Sequence, residues 1–250
     1  MTRPAQAGTA RARIVAWDFD GTLVDSRHRN LSVNHAIVRE LTGRQPSEFP
    51  ALTTVRSYEA AIARARDWRD FYAREFGLRD DLVERAGVLW PRLQAADPTP
   101  LRPFDGIVET LDALADLPHA IVSQNDSVVI HDTLTTSGLA ERFRLVLGHR
   151  EVGPEGQKPS PAGLLRCLEL ADGDGPVDLF FVGDHEVDAQ CAHNARAALA
   201  AAGRDVRIVG IAARYGTSAH AEWGRPPDRS AATPAEVAAI VLGEDDTPAG

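Results

Sequence analysis

Five short apolar runs constrain this chain more than any other feature: RIVAW (13–17), HAIVS (119–123), RLVLG (144–148), DLFFVG (178–183) and VRIVGIAA (206–213). Each is too short to cross a membrane and too continuously apolar for a strand with one wet face. They read as parallel strands buried on both sides. Helical patterns at 105–117, 126–138, 160–171, 186–202 and 233–242 alternate with them or follow the last. Strands alternating with helices predict an α/β fold with a doubly wound, mainly parallel, Rossmann-like sheet. Ligands in such sheets bind beyond the carboxyl ends of the strands. The polar residues that close each run are therefore the ones to question.

The spacing breaks its rhythm once. Between Ser26 and the helix near 105 lie almost 80 residues, far more than one crossover needs. This stretch reads as four helices, at 30–43, 54–65, 67–77 and 80–93, with Gly43, Gly77 and Pro91 as stops or breaks. The expected organisation is a core of residues 13–26 and 100–243, a helical cap domain of 27–99, and loose tails at 1–12 and 244–250.

Composition narrows the partners. A net charge of −9, with no basic run interleaved with aromatics, argues against nucleic acid and against anionic membrane surfaces. The opening MTRPAQAGTARAR lacks the apolar centre of a secretory signal. Cys167 and Cys191 both fall in helical patterns, so they are expected as reduced, packed residues of a cytoplasmic protein. Of 27 basic residues, every one is Arg except Lys158. Such a position asks for a compact ammonium on a flexible stem, which a planar guanidinium does not replace.

Four strand ends carry chemistry-capable residues. In RIVAWDFDGTLVDS (13–26), Asp18 and Asp20 stand two apart and so share a face of an extended chain. An Asp-Gly turn would explain Asp20 and Gly21 but not Asp18. Two neighbouring carboxylates repel unless a cation, a proton or a lysine stands between them. The second run ends at Ser123 in VSQND, the third leads to Lys158 in GQKPSP, and the fourth enters VGDHEVD with Asp184 and Asp188. Singly, Ser123 or Asp126 could cap a helix, and Asp184 and Asp188 could favour a helix N-terminus. Jointly, at one sheet edge, they point to a site.

The set Asp18-Phe-Asp20-Gly-Thr, Ser123, Lys158 and Gly183-Asp184-x-x-x-Asp188 resembles the four motifs of the haloacid dehalogenase superfamily of hydrolases, in the subfamily with a helical cap. The likeness covers nearly the whole chain. It implies a Mg²⁺-dependent phosphatase, of the phosphoglycolate-phosphatase-like kind, acting on a small phosphomonoester through an aspartyl-phosphate. By this resemblance Asp18 is the nucleophile and Asp20 the acid/base group, with Ser123 and Lys158 completing the catalytic set. Mg²⁺ is expected on Asp18, the Phe19 carbonyl, Asp20, Asp184 and Asp188, with Asp188 also free to orient Lys158. Gly21, Thr22, Ser123, Gln124, Asn125, Lys158 and Arg56 are expected to bind substrate.

The acid/base aspartate goes with phosphatases and phosphomutases rather than dehalogenases in that family. A sugar phosphomutase is accordingly the alternative, and a non-catalytic phospho-ligand binder a more distant one. Gln124 stands where the family often has Asn, and His185 where it commonly has Ser or Thr; His185 either touches substrate or sits near the metal. In the cap, Arg44, Arg56, Arg64, Arg66, Arg69 and Arg74 read either as an acidic-substrate site or as solvated helix faces, and the loop at 49–57 can reach the site. A monomer or homodimer is expected.

Overall fold

A computed structural model describes residues 11–244 except 172, 174 and 217–222. In chain order the core holds β1 (Ala12–Trp17), β2 (Val24–Asp25), then, after the cap, β3 (Arg102–Pro103), α5 (Ile107–Ala113), β4 (His119–Val122) and α6 (Ser127–Thr136). There follow β5 (Leu145–Leu147), α7 (His149–Gly156), α8 (Ala162–Cys167), β6 (Val177–Gly183), α9 (Glu186–Ala201), β7 (Val206–Ala213), β8 (Arg229–Ala231) and α10 (Pro234–Leu242). Six strands form one parallel sheet in the order β5-β4-β1-β6-β7-β8. The chain winds from β1 outward through β4 and β5, then crosses to β6 and winds the other way. The crevice between the carboxyl ends of β1 and β6 is therefore the switch point where such sheets bind ligands.

Alternation along the buried strands builds both faces. Val15 and Trp17 of β1, with Phe180 and Val182 of β6, enter one apolar cluster. Ile14 and Ala16, with Leu179 and Phe181, enter the other. A two-residue period on a strand buried on both sides requires this, and it explains why the runs carry no polar residue until they end.

The cap comprises α1 (Arg27–Thr42), α2 (Val55–Arg64), α3 (Trp68–Phe76) and α4 (Asp80–Ala96). It has its own core of Val33, Ile37, Phe49, Tyr58, Phe71, Tyr72 and Phe76, among others. The rings of Phe49, Phe71 and Tyr72 meet Phe76 edge-on, with centroids 5.0–5.5 Å apart. Thr54 and Asp67 cap α2 and α3 by accepting the Ser57 and Asp70 N–H groups. The two connections between cap and core pair with each other, β2 antiparallel to β3.

Several expectations need correction. Pro91 does not break α4, which runs on to Ala96 at the cost of one helical N–H donor. The helix expected over 160–171 is α8 followed by a short 3-10 turn, Leu168–Leu170. Four elements, β2, β3, α7 and β8, were not expected; α7 is two short turns broken at Gly153, next to Pro154, and its pattern is too brief to read. The expected tail of 1–12 is shorter, since Ala12 opens β1 and Arg11 bonds Asp178 and Asp205 at 2.6 and 2.7 Å. Residues 1–10 and 245–250 of the two tails lie outside the described residues. Among the described residues, no helix is long and apolar enough to cross a membrane.

Candidate active site

Beyond β1 the chain keeps strand geometry for one more residue: the Asp18 N–H donates to Val182 O at 2.8 Å. The chain then turns sharply. The Phe19 carbonyl accepts the N–H groups of Leu23 (2.9 Å) and Val24 (3.1 Å), and the Gly21 N–H donates to Val24 O (2.9 Å). Gly21 has φ 74°, and a Cβ there would collide with the Asp184 carboxylate. Glycine is thus required twice over, by backbone conformation and by the close approach of β6's end.

Lys158 lies between two of the carboxylates. Its Nζ stands 2.7 Å from Asp18 Oδ1 and 2.6 Å from Asp188 Oδ1, and its side chain is only 4% exposed. Burial by itself would lower the lysine's pKa, but Asp18 and Asp188 outweigh it and hold the ammonium well above its ordinary value. Two of the three ammonium donors are spent on these carboxylates, leaving one for a ligand. Asp188 Oδ2 accepts the His185 N–H at 3.0 Å, so both of its oxygens are engaged. The ring of His185 accepts the Val187 N–H through Nδ1 and caps α9.

Oxygen atoms of Asp18, Asp184 and Asp188 lie within 4.8 Å of one another. One ammonium does not neutralise this cluster. Burial, with the neighbouring carboxylates adding to it, pushes the Asp18 carboxyl up to about 7 despite Lys158, and Asp184 well above its ordinary range. No described residue donates a hydrogen bond to Asp184, to Asp18 Oδ2 or to the Asp20 carbonyl. An all-oxygen set short of positive charge fits a hard divalent cation such as Mg²⁺. The Phe19 carbonyl, expected among the ligands, is committed to the turn.

The second strand end supplies Ser123, Gln124 and Asn125. Ser123 is buried, and its Oγ accepts the Asn125 N–H at 3.1 Å, which leaves its own O–H to donate. The Asn125 side chain donates to Asp20 Oδ2 at 2.7 Å. Burial raises the Asp20 pKa, with the nearby Ser26 hydroxyl and the Asn125 amide opposing it. Asp20 Oδ1 is buried and has no partner with hydrogen-bond geometry among the described residues. Asp126 caps α6 through the Val128 N–H at 2.9 Å and pairs with Arg150, so here the capping reading holds.

Other expected substrate contacts are used differently. Gln124 is exposed and donates to the Lys158 carbonyl at 3.0 Å, which positions the lysine. Gly21 spends its N–H in the turn. Thr22 is fully buried, with its hydroxyl unpartnered among the described residues. Arg56 is exposed, whereas its neighbours Tyr58 and Glu59 are buried. Of the remaining cap arginines, Arg44, Arg64, Arg66, Arg69 and Arg74 pair with Glu48, Glu75, Asp70, Glu84 and Asp70, all on the cap itself. The reading as solvated faces describes them. Tyr215 escaped sequence analysis, although it follows the β7 run directly: its buried hydroxyl has no partner among the described residues and feels the Asp184 charge.

A family model for the haloacid dehalogenase-like hydrolases matches residues 15–202. Phosphoglycolate phosphatase 1 of Pseudomonas aeruginosa is 28% identical over 198 residues, 74% of this chain and 66% of that protein. The N-acetylmuramic acid 6-phosphate phosphatase of the same organism is 29% identical over 211 residues, 82% and 83% of the two chains. The solved structure of a haloacid dehalogenase-like hydrolase from Streptococcus pneumoniae has the same fold, with TM-score 0.69 at 21% identity over 92% of this chain and 98% of that one. The chain belongs to the haloacid dehalogenase-like hydrolase family.

Proposed function

We propose that this hydrolase is a phosphatase that removes the phosphoryl group of a small phosphomonoester through an aspartyl-phosphate on Asp18. The reading is carried by the different states of the two aspartates after β1. Asp18 is pinned by Lys158 through one oxygen and keeps the other uncommitted, while Asp20 is tethered by Asn125 and keeps a buried oxygen unpartnered. That is the division of labour a nucleophile and an acid/base group need.

Asp18 Oδ2 attacks phosphorus as the bond to the leaving oxygen breaks, and the protonated Asp20 carboxyl gives that oxygen its proton. Asp20, now a carboxylate, takes a proton from water as the water oxygen attacks phosphorus. Phosphate leaves and the Asp18 carboxylate is restored. The remaining N–H of Lys158 and the O–H of Ser123 donate to the phosphoryl oxygens. Asp18 and Asp184 would hold Mg²⁺, with the Asp20 carbonyl as a further donor, and the ion would neutralise charge between carboxylates and phosphate. Asp188 keeps Lys158 in place. The phosphatases among the curated relatives support the reaction class.

The test is phosphate release from acetyl phosphate and a panel of phosphomonoesters. Release is expected with Mg²⁺, is lost on EDTA treatment and returns when Mg²⁺ is restored. The variant Asp18→Asn is expected to release none while melting no lower than the parent. Turnover surviving EDTA, or near-parental turnover in Asp18→Asn, defeats the mechanism. Phosphate that migrates within the substrate without release marks the phosphomutase instead.

A further inference from the structure

The stretch that carries Lys158 belongs to no helix or strand, so no regular ladder of backbone bonds fixes the lysine. Side chains hold it instead. Gln124 Nε2 donates to the Lys158 carbonyl at 3.0 Å, Asn194 Nδ2 to the Pro159 carbonyl at 2.9 Å, and the Cys191 thiol to the Ser160 carbonyl at 3.2 Å. Three consecutive carbonyls thus each receive a donor from a residue 31 to 35 positions away in the chain. The Ser160 N–H tightens the turn by donating to the Gln157 carbonyl at 2.8 Å.

Two of these three donors stand on α9, the helix that also holds the ammonium. Asp188, Cys191 and Asn194 follow one another at intervals of three, so they are neighbours along the helix surface. The first takes Lys158 Nζ at 2.6 Å, and the other two hold the backbone just beyond the lysine. Cys191 is fully buried, and burial pushes its thiol up to about 12, so it keeps its proton and remains a donor. One rigid element therefore sets both ends of the lysine side chain. Asp188 alone would not locate the ammonium, because a flexible four-carbon stem reaches one carboxylate from many backbone positions. The anchored backbone is what keeps Nζ within 2.7 Å of Asp18 as well. A misplacement of about 1 Å in such a group can cost on the order of a hundredfold in rate.

We infer that Asn194 and Cys191 are positioning residues of the reaction: they hold the backbone of residues 158–160 so that the Lys158 ammonium meets Asp18 and the phosphoryl group together. The inference rests on the phosphatase reading and deepens it. The experiment joins steady-state turnover of acetyl phosphate with Mg²⁺ to NMR of protein labelled at lysine Cε, in which Lys158 gives the one side-chain signal. Asn194→Leu is expected to lower kcat at least fivefold with KM changed less than threefold. Adding Cys191→Ala is expected to bring the loss to at least twentyfold. In both proteins the lysine signal is expected to move toward that of free lysine. Cys191→Ser in place of Cys191→Ala keeps a donor and is expected to recover at least threefold. Serine no better than alanine overturns the assignment of Cys191. Folded variants with parental kcat, or with lowered kcat and an unmoved lysine signal, overturn the inference and spare the phosphatase. A parent that releases phosphate from no compound overturns both. If the double variant does not fold, Asn194→Leu, a substitution at an exposed position, decides alone.

Discussion

Asn125 and Asp20, 105 positions apart in the chain, are joined by a 2.7 Å hydrogen bond from the Asn125 amide to Asp20 Oδ2. The other end of that amide is also fixed, since its Oδ1 accepts the Asp126 N–H at 2.7 Å. With both ends held, Asn125 sets the orientation of the Asp20 carboxyl. It leaves the other carboxyl oxygen, Oδ1, without a hydrogen-bond partner among the described residues.

Removing this tether should harm the chemical step rather than binding. Asn125→Ala is expected to lower kcat at least tenfold, about 1.4 kcal/mol of barrier, with KM changed less than threefold. Steady-state phosphate release measures both. A rise in KM with kcat intact would make Asn125 a substrate contact and not a positioning residue.

The lone lysine gives a sharper test. Lys158→Arg should cost at least tenfold in turnover, although every other basic residue of the chain is Arg. An ammonium fits between Asp18 and Asp188 at 2.7 and 2.6 Å; a guanidinium is wider, and its donors lie in one plane. Labelling adds an independent readout, because an amine reagent meets only Lys158 and the chain's N-terminal amine. A phosphate analogue with Mg²⁺ should protect Lys158. An arginine variant of full activity, with Lys158 labelled regardless of ligand, would remove it from the site.

Far from the chemistry, His119 should make stability depend on pH. Its Nδ1 accepts the Trp17 indole N–H at 3.0 Å, so the proton sits on Nε2, which donates to Leu114 O at 3.1 Å. Burial drives its pKa from 6.5 down to about 4, because a second proton would set two donors against each other. The unfolded chain binds that proton below about pH 6.5 and the folded one does not. Stability therefore falls as pH drops from about 6.5 to about 4. Between pH 7 and 5 the loss from this residue is about 2 kcal/mol. Denaturant unfolding of the parent and of His119→Phe at both values checks it: the parent should lose about that much more.

The sheet was legible because its strands are buried on both faces and so carry unbroken apolar runs. Their polar ends named Asp18, Asp20, Ser123, Lys158 and Asp184 with no help from tertiary structure. What stayed hidden depends on neighbours distant in sequence. Nothing in the string Asn-Asp-Ser tells that Asn125 reaches Asp20, or that Gln124 holds the Lys158 backbone. The Phe19 carbonyl is withdrawn by a turn whose hydrogen bonds come from residues three to five positions later. The cap told least, since its many arginines proved to be paired at the surface while three inconspicuous residues, Asn34, Tyr58 and Glu59, turn inward.

Consider finally the two connections that pass between cap and core. Val24 pairs with Pro103 and Asp25 with Arg102, the Phe104 N–H adds a bond to Leu23 O, and Arg29 reaches across to the Thr99 carbonyl at 2.6 Å. The chain thus leaves and re-enters the core through one doorway whose two jambs are fastened together. A segment mounted in this way is a cassette: its length and contents do not alter the spacing of the doorway, and the doorway is what borders the Asp20 turn. The inserted segment and the residues gathered at the sheet edge are written in separate stretches of sequence, so one can be rewritten without disturbing the other.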